Sequence, residues 1–232
     1  MRRSYFECRY GQLHVHNAIP PGGGFEEGTA LLCLHQGAAS GRTFTRFLSA
    51  SGQDRSVYAP DLPGCGESDP PPARPTVDDY AAAIGDFLDT MRFRQIDVLG
   101  HRSGSLIAAE LAVARPQQVR RVVMVGVPLL NEAEREALKR AARPAPAGDD
   151  GRHVTTEWSV SAAARYRCAD RLVAIQQPVL VLRPKDDLWE ATARVRDLLP
   201  KARYLDVPEH GPALFELAPD FAARCVKEFL SG

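Results

Sequence analysis

Short apolar runs alternate with helical segments along this chain, and this alternation limits its fold more than any other feature. Residues 30–34 form an unbroken apolar run, as found in strands that are buried on both faces of a sheet. Residues 76–91 carry apolar side chains at three- and four-residue steps, which predicts an amphipathic helix. Strands that alternate with helices form a mostly parallel sheet covered by helices on both faces. The sequence therefore predicts an α/β fold with a mostly parallel, twisted sheet.

The same patterns predict the order of the elements. Strands are expected over residues 4–9, 12–18, 30–34, 56–59, 96–99, 119–127, 179–182 and 204–207. Helices are expected over residues 43–50, 76–91, 103–115, 131–142, 190–199 and 219–230. Residues 129–172 break the alternation with a charged helical segment and a Pro-, Ala- and Gly-rich stretch at 143–151, typical of a mobile linker. We expect a single domain over residues 1–232, with residues 129–172 as an insertion in it.

Composition excludes several classes of function. The 29 basic residues balance 29 acidic ones, so a broad electrostatic surface for nucleic acid or anionic membrane is not expected. No run of about 18 apolar residues is present, and the first residues lack the apolar region of a signal peptide. The five cysteines form no Cys-x-x-Cys pair, which disfavours a disulfide framework or a zinc site. We expect a cytoplasmic protein that needs no metal or organic cofactor; its oligomeric state stays open, a homodimer included.

Three motifs carry a resemblance to a known family. Residues 31–37 are a strand that ends in His-Gln-Gly, and residues 58–69 contain the pattern D-x-x-G-x-G-x-S. Residues 98–105 place glycines on both sides of a central residue between a predicted strand and a predicted helix. Together with the later strands and loops, these motifs follow the order found in the α/β-hydrolase superfamily. The resemblance to that superfamily covers nearly the whole chain. The resemblance implies an α/β-hydrolase fold in which residues 129–172 are a short cap.

The resemblance also implies a catalytic triad, and this chain departs from it at two positions. Gly100 and Gly104 satisfy the G-x-S-x-G pattern, but Arg102 stands at the nucleophile position, and a guanidinium is no nucleophile. Asp186, with Asp187 beside it, matches the acid. The family pattern puts the base near residue 212, two residues beyond His210. The sequence therefore predicts a degenerate triad.

Two interpretations stay open for each of four candidate site residues. Arg102 either points to solvent from a relaxed turn or binds a carboxylate or enolate beside a helix N-terminus. Ser103 is either a shifted nucleophile or a residue that contributes its backbone N–H. His210 is either an acid or base paired with Asp186 or a histidine of a surface loop. His35 is either catalytic or a structural residue that bonds a nearby loop.

The expected binding groups follow from the same resemblance. Arg102 and the N–H groups of Gly37 and Ser103 would hold an oxyanion, and Gln36 is expected beside them as an oxyanion- or substrate-binding residue. Trp189 and Phe215 fall in loops that line such pockets, where apolar packing and substrate contact look alike in sequence.

The first hypothesis is an enzyme of the superfamily that acts on a small, partly apolar molecule with a carboxylate or carbonyl group. Its chemistry would be acid/base or oxyanion-stabilised, without a covalent intermediate: a lyase, isomerase, cyclase, decarboxylase or hydrolytic step. One alternative is a non-catalytic protein that binds a ligand or partner. Another is a serine ester hydrolase that uses Ser103.

Overall fold

The computed structural model describes residues 1–21, 28–141 and 152–232; for residue 141 and residues 152–156 only the backbone is described. The predicted linker at 143–151 lies outside these ranges. Within them, eight strands form one sheet. The strands are β1 Arg2–Cys8, β2 Gly11–Ala18, β3 Leu31–Leu34, β4 Val57–Pro60, β5 Ile96–His101, β6 Val119–Val125, β7 Val179–Pro184 and β8 Arg203–Val207. Each predicted strand is thus observed.

The strands lie in the order β1-β2-β4-β3-β5-β6-β7-β8. Strand β2 is antiparallel to both of its neighbours, whereas the strands from β4 to β8 are parallel. This confirms the predicted α/β-hydrolase fold with its mostly parallel sheet. Parallel strands end at one edge, so the residues after β3, β5 and β7 meet there, at the usual position of a ligand site.

Helices cover both faces of the sheet. They are α1 Thr45–Ser51, α2 Val77–Thr90, α3 Gly104–Ala114, α4 Glu132–Ala141, α5 Arg152–Arg165, α6 Cys168–Leu172, α7 Trp189–Ala193, α8 Val195–Leu198, α9 Leu214–Leu217 and α10 Pro219–Ser231. Strand residues alternate between two apolar layers: Val98 packs with α2 and α3, and Leu99 packs with α1 and α10. No helix in the described ranges is long and apolar enough to cross a membrane.

The helices differ from the predictions in three respects. The helix expected over 190–199 is two short helices, α7 and α8, which meet at Arg194. The segment expected to be helical from residue 43 opens with a 3₁₀ turn, Gly41–Phe44, before α1. Helices α5, α6 and α9 were not expected, because α6 and α9 are only five and four residues long and the Ser, Thr and Val residues of α5 weaken the helical signal. Helices α4, α5 and α6 follow β6 and precede β7, where the cap was predicted.

Candidate functional site

The turn between β5 and α3 keeps the tight geometry of a nucleophile elbow. Arg102 has a φ of 54°, a left-handed conformation that is strained for any residue with a side chain. A Cβ atom on Gly100 would lie 2.4 Å from the carbonyl oxygen of Gly104, and one on Gly104 would lie 2.1 Å from the carbonyl oxygen of Leu34. Only glycine fits at these two positions, so the turn has not relaxed although its central residue is arginine.

The side chain of Arg102 binds two carboxylates instead of pointing to solvent. Its Nη1 donates to Asp186 Oδ2 at 2.9 Å and to Asp187 Oδ1 at 2.8 Å, and its Nη2 donates to Asp187 Oδ2 at 2.8 Å. The Asp186 side chain is 1% exposed, whereas that of Asp187 is 71% exposed. The residues predicted at the nucleophile and acid positions are therefore joined directly, and no imidazole of the described residues lies between them.

The environment shifts the pKa values of the two carboxyl groups in opposite directions. Burial raises the pKa of Asp186, although the Leu188 N–H and the Arg102 guanidinium act against that rise. The hydrogen bonds from Arg102 lower the pKa of Asp187. With all three groups ionised, the cluster carries one net negative charge, so Arg102 is not a bare cation in this state.

Ser103 opens α3 beside the loop that follows β3. Its Oγ accepts a hydrogen bond from the Gly37 N–H at 2.7 Å, the amide that the resemblance assigns to the oxyanion hole. An oxygen atom of the chain itself thus lies against that donor. A Cβ atom on Gly37 would lie 2.6 Å from Ser159 Oγ of α5, so a glycine lets the predicted cap approach this loop closely.

His35 is fully buried, and both of its ring nitrogens are used. Nε2 accepts the Leu62 N–H at 2.8 Å, which leaves Nδ1 to donate to the Gln36 carbonyl at 2.7 Å. Burial lowers the pKa of His35 to about 4, so the ring is neutral at neutral pH. His35 connects the end of β3 to the loop after β4.

His210 lies near the acid loop, but its ring faces elsewhere. Its carbonyl oxygen accepts the N–H of Lys185, the residue before Asp186, at 2.7 Å. The ring packs on Phe221 of α10 with 4.4 Å between the ring centres, and Nε2 lies 3.8 Å from Glu209 Oε1. No hydrogen bond or ion pair joins His210 to Asp186 in the described part of the chain. Its role as an acid or base stays a prediction.

The two aromatic residues expected near the pocket pack elsewhere. Phe215 is 1% exposed and contacts Phe44, Phe47 and His101 in the core. The Trp189 ring lies under Arg183, whose guanidinium carbon is 3.8 Å from the ring centre. Neither residue lines the cavity described next.

A cavity of about 490 Å³ lies above the elbow. Its polar end is formed by Gln36, Gly37, Arg102, Ser103 and Asp187. Its walls are mostly apolar and consist of Pro128, Leu130, Ala137, Leu138, Val160, Ala163, Leu188 and Ala191, with Glu134 among them. The predicted residues Gln36, Gly37, Arg102 and Ser103 are therefore brought together at one end of the cavity.

Sequence reasoning missed most of the cavity walls. The sequence did indicate the part played by α4, because its apolar edge, which contains Ala137 and Leu138, is expected to face other apolar residues. The contribution of α5, through Val160 and Ala163, had no such signal. Three side chains that could hold a metal ion, His14, His16 and Asp61, also lie close together, but none of them lines this cavity.

Curated relatives match part of this chain in sequence. Curated relatives include an uncharacterized protein of Mycobacterium tuberculosis, 33% identical over 98 residues, which are 42% of this chain and 29% of the relative. A 2-hydroxymuconate semialdehyde hydrolase of Pseudomonas putida is 38% identical over 82 residues, 33% of this chain and 27% of the relative. The matches therefore span less than a third of the length of these two relatives.

Similarity of structure extends over the whole chain. The crystal structure of a hydrolase from Pseudomonas aeruginosa PA01 superposes with a TM-score of 0.82 at 18% identity, covering 99% of this chain and 98% of that one. Among protein families, the one described as alpha/beta hydrolase fold matches residues 29–149, just over half of the 232 residues. A match of that extent, on a sheet of this order with an intact elbow turn, shows that the chain belongs to the α/β-hydrolase fold family.

Proposed function

We propose that this chain is an α/β-hydrolase-family enzyme that acts on a small, partly apolar molecule without a covalent serine intermediate. The observation that carries the proposal is Arg102, which occupies the nucleophile position of a strained elbow and binds both Asp186 and Asp187. A guanidinium stays protonated in proteins and cannot attack a carbonyl carbon. The degenerate triad is part of this proposal.

The cavity supports a substrate of this kind. Its volume of about 490 Å³ and its mostly apolar walls suit a small organic molecule. The polar groups are gathered at one end, where they would orient a single carbonyl or carboxylate group. The name of the P. putida relative, a semialdehyde hydrolase, is in keeping with a substrate of this class.

A carboxylate would bind by replacing Asp187 on Arg102. The Asp187 side chain is 71% exposed, so its ion pair with Arg102 is screened by water and weak. Asp186 is buried and would keep Nη1 of Arg102 in place. The edge of the guanidinium that Asp187 leaves would then bind the ligand carboxylate in a bidentate interaction. Arg102 would then stabilise negative charge on the ligand oxygen as the reaction proceeds.

Proton transfer in this proposal falls to His210 or to the released Asp187. Histidine is the most common general acid or base in enzymes, but the His210 ring would first have to turn away from Phe221. Asp187 already lines the cavity and would lie beside the bound ligand.

The second candidate is a non-catalytic binding protein. It is favoured by the position of His210, whose ring packs on Phe221 while both oxygens of Asp186 accept bonds from Arg102 and from the Leu188 N–H. Without an imidazole beside the acid, the cavity would bind a ligand and leave it unchanged. The serine hydrolase alternative has less support, because Ser103 Oγ is bonded to the Gly37 N–H and no base contacts it in the described residues.

The first experiment is labelling of the purified protein with a fluorophosphonate, followed by intact mass, peptide mapping and a Ser103→Ala control. We expect no label on the wild type. A label on Ser103 that disappears in the Ser103→Ala variant would restore the serine hydrolase alternative.

A second experiment separates the enzyme from the binding protein. Small carboxylates and carbonyl compounds are screened by thermal shift, and each compound that stabilises the protein is incubated with it and followed by mass spectrometry. Conversion of a stabilising compound supports the enzyme. Stabilisation without conversion of any such compound supports the binding protein.

A further inference from the structure

Two histidines and an aspartate meet on the opposite side of β2 from Leu13 and Val15. His14 and His16 are two residues apart on β2, so their side chains share one face of the strand. Asp61 directly follows β4, the strand that pairs with β2, and its N–H donates to the His14 carbonyl at 2.8 Å. The side chains of all three residues are at most 1% exposed.

Three ring nitrogens in this group have no hydrogen-bond partner among the described residues. They are His14 Nε2 and both nitrogens of His16. Buried polar atoms are nearly always paired with protein, water or an ion, so three orphaned nitrogens on adjacent rings point to a ligand between them. The hydrogen bond between His14 Nδ1 and Asp61 Oδ2 accounts for the other nitrogen of His14, but it leaves both nitrogens of His16 unexplained.

The positions of the atoms fit a small metal ion. His14 Nδ1 lies 2.8 Å from Asp61 Oδ2, and His16 Nε2 lies 3.7 Å from Asp61 Oδ1. One ligand atom from each residue can be chosen so that all lie within 4.8 Å of one another. In a tetrahedral zinc site with bonds of about 2.1 Å, the ligand atoms lie about 3.4 Å apart. The two observed separations, 2.8 Å and 3.7 Å, lie below and above that value.

The carboxylate is already oriented for such a role. Asp61 Oδ1 accepts the Gly41 N–H at 2.7 Å, and Oδ2 accepts the Glu67 N–H at 2.9 Å. Oδ1 retains a second lone pair, and the second lone pair of Oδ2 faces His14 Nδ1 at 2.8 Å, where the ion would replace the hydrogen bond. Backbone donors behind a ligating carboxylate are the usual outer support of a metal site.

We propose that His14, His16 and Asp61 bind a divalent transition-metal ion of the zinc class. Two imidazoles and a carboxylate are ligands that such ions prefer. His14 binds through Nδ1, the nitrogen that faces Asp61, and a water molecule completes the coordination. Glu67 Oε2 lies 4.0 Å from the other ring nitrogen, His14 Nε2. Glu67 also lines an open cleft with Ser40, Arg42 and Gly66, which provides a route of access for the ion.

The ion has a structural role in this proposal. It ties β2 to the loop after β4, where the Leu62 N–H binds His35 at the end of β3. Through Asp61 it also holds Gly41, in the segment that follows β3. Occupancy of the site therefore stabilises the end of β3 and the residues Gln36 and Gly37 that follow it. Metal binding does not depend on the reaction proposed for the cavity.

The test uses the whole chain after treatment with a chelator and dialysis. Zinc is titrated by calorimetry, cobalt is titrated by visible absorption, and thermal unfolding is followed with and without zinc. We expect one ion per chain, tetrahedral cobalt absorption without sulfur charge-transfer bands, and a Tm about 5 °C or more higher with saturating zinc. Absence of binding to the wild type at millimolar zinc would overturn the proposal.

His16→Leu is the diagnostic variant, because the His16 ring makes no hydrogen bond with any residue that the structure describes, so leucine breaks none there. We expect it to fold like the metal-free wild type, as checked by circular dichroism, and to lose both the bound ion and the Tm shift. His16→Gln is the second variant should leucine disturb packing. His210→Gln is the matched control and keeps one ion per chain. Unchanged zinc binding in both His16 variants, or cobalt bands typical of cysteine ligands, would also overturn the proposal.

Discussion

Arg102 is the residue whose environment defines this site. A positive φ on a residue with a side chain costs free energy, and here the surrounding structure maintains it through the bond from the Arg102 N–H to the Val125 carbonyl at 2.7 Å. The guanidinium neutralises Asp186, which would otherwise be a buried and unpaired carboxylate. Loss of the arginine therefore affects stability as well as binding.

Arg102→Met is expected to lower the free energy of unfolding by about 2–3 kcal/mol at pH 7.5, because it leaves the Asp186 carboxylate buried without its cation. Burial already raises the pKa of Asp186, and removal of Arg102 raises it further. An acid whose pKa is raised on folding destabilises the folded state while it is ionised, and protonation removes that penalty. The loss of stability in Arg102→Met therefore shrinks as the pH falls from 7.5 to 5. Urea unfolding of both proteins at the two pH values measures this.

The matched control is Arg183→Met. Arg183 is as well covered as Arg102, but its partner Asp206 is 40% exposed and can be hydrated once the arginine is lost. A pH-independent loss of stability in Arg102→Met, equal to that of Arg183→Met, would show that Asp186 does not depend on Arg102.

Asp187→Asn is expected to strengthen binding of a small carboxylate by about fivefold, because it removes the exposed group that competes for Arg102. The measurement is calorimetry with a carboxylate found by the thermal-shift screen. Asp206→Asn, which disrupts the comparable pair with Arg183, is expected to leave the affinity unchanged. Weaker binding to Asp187→Asn would mean that Asp187 contacts the ligand itself.

Arg102→Ser places a serine at the elbow, and we expect it to show no hydrolysis of activated esters above the wild-type rate. A serine needs an adjacent base, and the His210 ring packs on Phe221. Ester turnover by purified protein is the measurement, with Arg102→Ala as the control. Turnover found in the serine variant alone would show that His210 reaches the elbow.

At the scale of elements, the site depends on how closely α5 approaches the loop after β3. The contact is between Gly37 and Ser159, where a Cβ atom on the glycine would lie 2.6 Å from Ser159 Oγ. Helices α4 and α5 then supply the apolar walls of the cavity, while β3, β5 and the residues after β7 supply its polar end. The cavity therefore exists only while the predicted cap rests on the sheet edge.

Gly37→Ala is expected to lower the free energy of unfolding by about 1–3 kcal/mol, because the added methyl group forces α5 or the loop to move. Gly211→Ala is the matched control, since a Cβ atom there would lie no closer than 3.9 Å to Lys185 O. Urea unfolding compares the two variants with the wild type. Equal stability of the two would mean that α5 does not press on Gly37 in solution.

At the scale of the whole molecule, two buried histidines make stability depend on pH. Burial lowers the pKa of His35 to about 4 and that of His101 to about 3, so both rings stay neutral in the folded chain. In the unfolded chain they bind protons below a pH of about 6.5. Each histidine therefore opposes folding as the pH falls from about 6.5 towards its folded-state pKa, and its contribution is constant above that window.

We expect the free energy of unfolding to fall by about 4 kcal/mol between pH 7 and pH 5 as a result of these two residues. His101→Leu removes one of them and is expected to lose about half of that pH dependence. Urea unfolding at both pH values is the measurement. An undiminished pH dependence in His101→Leu would assign the effect to other groups.

Most of the fold could be predicted from the sequence, because periodicity and turn residues act within single elements. Every strand was anticipated, whereas α5 was not, since its residues have weak helical preference and its packing partners lie far away in sequence. The same distinction applies to the site. Gly100, Gly104 and the order of the motifs were readable from the chain, but the orientation of the His210 ring was not.

The sequence by itself determined the sheet, the tight turn and the presence of Arg102 at its centre, because these depend on residue type and local spacing. Only the tertiary structure decided what Arg102 does: its partners lie 84 and 85 residues away, on a loop that the sheet order brings to the same edge. It likewise brought Asp61 to His14 and His16 across two paired strands. Contacts of this kind depend on the path of the chain and on side-chain rotamers, which no local pattern records.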